Sequence, residues 1–170
     1  MFTKADIEKY FLAEKQAGLL FLVIGAIAIV VAVVFFLVVK TNFYKGAALP
    51  LVVIGIIQLA AGITLFKRSD EDRFRNVYAY GMDPNQLRDK ELPRMKAVNK
   101  NFVLLRWVEV VLVLVGIGLM FYFKSNANKA FWFGFSVALA IQAVLMLGAD
   151  YFAEKRALQY TAGLEQFLKK

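Results

Sequence analysis

Cysteine and histidine are both absent from this chain of 170 residues, and proline occurs only three times. Those absences exclude haem held by histidine, structural zinc of the usual Cys/His kind, thiol redox work and any Ser-His-Asp or Cys-His triad. Disulfides are excluded as well, so cysteine usage carries no information about compartment. Charge is scarce too. Charged residues make up 20% of the chain against 60% hydrophobic, and the mean hydropathy is +0.58. A soluble domain of this size does not carry so much apolar side chain, so the composition predicts a membrane protein.

The apolar residues are gathered into four runs. The first, 17–39, lies between Lys15 and Lys40, and its 23 residues are enough to cross a hydrocarbon core of ~30 Å at about 1.5 Å per residue. It is longer than the apolar region of a cleaved signal peptide and follows a charged, helix-like segment, so it is expected to stay in the mature protein. The second run, 47–66, places Pro50 in its first turn, where a missing N–H costs little. The third, 102–123, contains Arg106 and Glu109, and the fourth, 130–152, ends near Asp150. Tyr44, Trp107, Tyr122 and Trp132 stand at run ends, where aromatic belts form.

Lysine and arginine are distributed unevenly among the connecting segments. There are three in 1–16, two in 40–46, nine in 67–101, two in 124–129 and four in 153–170, with Arg106 inside the third run. The positive-inside rule then predicts both termini and the long middle segment in the cytoplasm, with two short outer loops. The net charge of +8 follows from this topology and does not mark a nucleic-acid surface, because six acids alternate with the nine bases of 67–101. The predicted fold is an all-α integral membrane protein: a four-transmembrane-helix bundle with cytoplasmic amphipathic extensions, both termini inside, in a plasma membrane of the bacterial inner-membrane type.

The middle segment reads either as a solvated connector or as a helical cap. Asp83-Pro84-Asn85-Gln86 has the pattern of a capping box, predicting a short helix over 84–91, with Gly81 as the C-cap of a preceding helix and Pro93 allowing a restart. At the start of the chain, Thr3 and Asp6 open a segment with Ile7, Tyr10 and Phe11 on one face. The tail aligns Ala157, Tyr160, Thr161, Leu164, Phe167 and Leu168 on one stripe. Two such amphipathic helices have three outlets: the inner leaflet, each other, or a partner protein.

Five side chains that carry a charge or an amide lie within the runs: Gln58, Arg106, Glu109, Gln142 and Asp150. A charge at the bilayer centre costs at least ~2.5 kcal/mol, so each needs a partner. Counted from the cytoplasmic ends, their depths are about 12, 6, 10, 15 and 3 Å respectively, all in one half of the bilayer. One polar cluster is therefore expected, with Arg106 bridging Glu109 at i,i+3 and Asp150 as its second carboxylate. Such a cluster either fixes helix register or forms a vestibule for an ion or proton. Run one has no polar group but offers Gly18, Gly25, Ala28 and Ala32, which suit close packing.

No carboxylate, tyrosine or lysine spacing compels a catalytic reading, and neither a cofactor nor a metal is expected. The leading expectation is a non-enzymatic membrane partner, scaffold or protective subunit that docks another protein through Tyr160, Leu164, Phe167 and Leu168. The alternative is a homo-oligomeric channel or pore with the polar cluster as its cytoplasmic vestibule. The partners expected are the lipid bilayer and another protein or further copies of the chain, with no nucleic acid.

Overall fold

A computed structural model describes residues 2–169, and among these every regular element is helical. Four helices are long and apolar enough to cross a membrane. Helix α1 (Lys4–Val34) ends in a π-helical turn, Phe35–Val39, and α2 spans Asn42–Met82. A short α3 (Pro84–Gln86) leads through a second π turn, Leu87–Glu91, into α4 (Leu92–Phe123). A 3₁₀ turn at Ala127–Lys129 precedes α5 (Ala130–Leu168). The α1–α2 and α4–α5 pairs are each joined along their length, and α2 against α5 links the two pairs.

Local chemistry accounts for the ends. The Thr3 N–H and Oγ1 both donate to the Asp6 carboxylate at 2.8 Å, fixing the start of α1, and these bonds hold Asp6 below the usual carboxylate value. Lys40 adopts a left-handed conformation (φ 58) that breaks α1 from α2. Asn126 accepts from the Asn128 N–H at 3.1 Å and so caps the turn before α5.

The helices run well past their apolar runs. At 41 residues, α2 is about 60 Å long, roughly twice the hydrocarbon thickness. Its early start at Asn42 places Pro50 inside the helix and not in a first turn. The carbonyl that Pro50 cannot bond is that of Gly46, four residues earlier. Two further expectations are corrected. Asp83 makes no side-chain cap bond, because its carbonyl and not its carboxylate accepts from Gln86 N–H at 3.0 Å. Gly81 lies within α2 without positive φ, against the Lys4 side chain.

Small residues bring the helices together. A Cβ on Gly18 would stand 2.9 Å from the Phe66 N, and one on Gly62 would stand 2.7 Å from the Gly18 carbonyl. Gly25 and Gly55 repeat this contact one heptad on, beside the buried Ala28. At the other end of the runs, a Cβ on Gly46 would lie 1.8 Å from the Phe131 carbonyl oxygen and one on Gly134 would lie 1.9 Å from that of Phe43. The α2–α5 crossing is thus backbone on backbone.

Most of the large buried side chains lie outside the apolar runs. Phe2, Ile7, Tyr10 and Phe11 pack with Ala79, Leu87, Met95, Ala157, Tyr160 and Leu164 in one core built by the extensions of all four long helices. The Tyr10 and Tyr160 rings stack at 4.2 Å, and Tyr80 stacks on Phe167 at 4.5 Å. Residues 67–101 are therefore part of a folded helical module.

Candidate functional site

Inside the runs, the five expected polar residues fall into two groups. Gln58 on α2 donates through Nε2 to Gln142 Oε1 on α5 at 3.4 Å, and both side chains are buried. The other three lie between α4 and α5 around a cavity of about 500 Å³. There Arg106 donates through Nη2 to Glu154 Oε1 at 2.9 Å, so its carboxylate partner is neither Glu109 nor Asp150. The reason is direction: Glu109 points into the α4–α5 contact, 2% exposed, whereas the Arg106 side chain is 47% exposed and reaches along the α5 surface to a residue just past the run. Both Glu109 oxygens are buried without a hydrogen-bond partner, and the ionisable group they face is Asp150. Glu154 gave no signal in the fourth run because it lies two residues beyond its end, yet it is 8% exposed.

The residues expected to dock a partner are used within the chain. Leu164 is fully buried and Tyr160 is 4% exposed, while Phe167 and Leu168 pack against the same core. The amphipathic N-terminal face covers them, which is the second of the three outlets open to the two stripes. Thr161 on that stripe accepts from Asn99 Nδ2 at 3.0 Å and donates to the Ala157 carbonyl.

A charged layer borders this core. Arg94 binds Glu91 through two nitrogens at 2.7 and 2.8 Å, with its guanidinium over the Phe11 ring. Burial works against the Arg94 charge, but the Glu91 carboxylate outweighs it and holds Arg94 above its ordinary value. Burial likewise raises Tyr10 and Tyr160, keeping both phenols neutral. Arg68 joins Glu14 at 3.1 Å and Asp72 at 3.2 Å, Arg75 joins Asp72, and Lys15 pairs with Asp70. Glu14 is raised by burial despite the opposing Arg68.

A different stripe stays uncovered. Phe74, Tyr78 and Met82 follow one another at helical spacing on the extension of α2 and are 67%, 66% and 73% exposed, while Asp72, Asn76 and Ala79 on the opposite face are buried. Their i, i+4, i+8 spacing is visible in the sequence, but it follows directly on the charged stretch 67–73, which favours the reading as a solvated connector. Among the described residues, no group of three or more acidic, histidine or cysteine side chains is arranged to hold a metal ion. Comparison with protein-family models, with curated proteins and with solved structures finds no match to this chain.

Proposed function

We propose that the chain is a non-enzymatic integral membrane protein that holds a helical module beneath the bilayer, with both termini and residues 67–101 in the cytoplasm, and that this module docks another protein. The observation that carries the reading is the exposed Phe74–Tyr78–Met82 stripe. These residues lie about 12 to 24 Å beyond Phe66, the last residue of the second run, so hydrocarbon does not reach them. Apolar side chains at i, i+4 and i+8 are the anchors that a helix presents to an apolar partner helix or groove. The stripe replaces the tail residues Tyr160, Leu164, Phe167 and Leu168 as the docking face, since those are already covered. The channel reading has less support, because Gln58 is bonded to Gln142 and Glu109 faces Asp150 within the α4–α5 contact, so that of the five polar residues only Gln58 and Asp150 line the cavity between the four helices.

The test is a photoreactive amino acid at Tyr78 in living cells. A discrete adduct with one other protein, lost when Phe74→Ser and Met82→Ser are added, is the expected result. An adduct only with a second copy of the chain would replace the partner reading with self-association. Absence of any discrete adduct would overturn both.

A further inference from the structure

The four long helices line a half-open cavity of about 630 Å³ at the level where the apolar runs meet the charged layer. That volume lies within the range of small-ligand sites. Its wall has two chemically distinct parts. Phe21, Ile57, Leu65, Leu105 and Met146 supply a mainly apolar upper part in which Gln58 is the buried polar group, and Glu14, Arg68 and Arg156 stand at its base. In depth, Ile57 is about 13 Å inside the second run, whereas Glu14, Arg68 and Arg156 lie about 3 to 6 Å outside the run ends. The cavity therefore extends from headgroup level into the hydrocarbon layer.

The charges at the base are not equivalent. Arg68 is engaged by Glu14 and Asp72, and the other carboxylate in the wall, Asp150, faces Glu109. Arg156 makes no ion pair among the described residues, although it is partly buried. It also lines a groove between α1 and α5, together with Ala17 and Phe21, which are walls of the central cavity too. Ala17, Phe21 and Arg156 thus form the wall shared by that groove and the cavity, which places the unpaired guanidinium at the border between the lateral surface and a mainly apolar chamber.

We propose that this chamber takes an acyl chain of a phospholipid entering laterally from the leaflet, with the phosphate held by Arg156. Arginine suits that role because its fork of donors binds phosphate oxygens directly. A soluble phosphate ion would satisfy Arg156 but leave the apolar chamber unfilled. The proposal rests on the four runs being membrane spans and is independent of the Phe74 stripe.

The experiment reconstitutes the full chain into phosphatidylcholine vesicles containing a minor fraction of phosphatidylglycerol with a photoreactive group near the end of one acyl chain. After illumination, adducts are mapped by peptide mass spectrometry. Labelling of inward residues such as Phe21 and Met146 is expected beside that of lipid-facing Leu19, Leu104 and Leu145. Arg156→Gln should reduce the inward adducts about tenfold, the equivalent of losing one charged hydrogen-bond contact. Lys155→Gln, the same charge change on an exposed neighbour, should leave them unchanged. Ala61→Phe should abolish the inward adducts by filling the chamber while helicity is retained. Adducts confined to lipid-facing residues, or inward adducts indifferent to Arg156→Gln, would overturn the proposal. Displacement by inorganic phosphate would make the site one for a free anion instead. Failure to float with the vesicles would overturn the reading of the runs as spans, and with it the lipid site.

Discussion

Arg106 illustrates what a single side chain conceals. An arginine three residues before a glutamate on one helix is a natural local pair, but Arg106 crosses to Glu154 on the neighbouring helix. Because Glu154 is nearly buried and the pair is half exposed on the arginine side, Arg106→Ala should cost about 1–2 kcal/mol. In a double-mutant cycle read by unfolding in detergent, Arg106 should couple to Glu154 and not to Glu109. Coupling to Glu109 in place of Glu154 would refute the geometry. Glu14 offers a pH-dependent counterpart. Its carboxyl binds a proton more tightly folded than unfolded, since burial raises it above its ordinary 4.5. Its contribution to stability is therefore fullest below that value and is lost as pH rises through the raised one. Glu14→Gln should flatten the fall of stability with pH over that window, as followed by thermal unfolding at a series of pH values. An unchanged slope would mean that the carboxyl titrates normally.

Among the elements, the four apolar runs were legible because hydrophobicity over 20 residues is a one-dimensional signal that needs no partner. The small residues of run one were legible for a related reason: Gly18, Gly25, Ala28 and Ala32 are buried in α1 as close packing requires. Helix ends were less readable. The Asp83 pattern predicts a side-chain cap, whereas the helix after it is held by backbone bonds and passes through a π turn. Nor does Pro50 mark a start, because α2 begins eight residues earlier. The covering of an amphipathic stripe is a three-dimensional fact, so Tyr160 and Leu164 read equally well as a docking face or as core. The α2–α5 crossing gives the element-scale prediction. Gly46→Ala sets a methyl against the Phe131 backbone, which cannot swing aside, and should cost about 1–3 kcal/mol. Gly148→Ala meets nothing within 4 Å and should be neutral or stabilise α5 by up to about 1 kcal/mol. Equal melting temperatures for the two variants would show that the helices do not cross at Gly46.

At the level of the whole molecule, the proposed topology follows from the excess of lysine and arginine in residues 67–101. The chain contains no cysteine, so each one introduced is a unique reporter. Cysteines at Asn42 and Asn126 should react with an impermeant thiol reagent added to intact cells, and one at Asn85 should react only after lysis. Labelling of Asn85 in intact cells would invert the orientation and move the helical module to the other side of the membrane.

The module beneath the runs joins the two extremes of the described chain, because Phe2 contacts the rings of Tyr160 and Phe167 and Arg88 donates to the Leu168 carbonyl. A ribosome makes Ile7, Tyr10 and Phe11 first, but their cover on α5 emerges only after all four runs have left the exit tunnel. Until α5 emerges, this aromatic face has no native partner on that helix. Insertion of the runs and closure of the module are therefore separate events in time, and the nascent chain passes through an interval in which a chaperone or the membrane surface has access to residues that the finished protein hides.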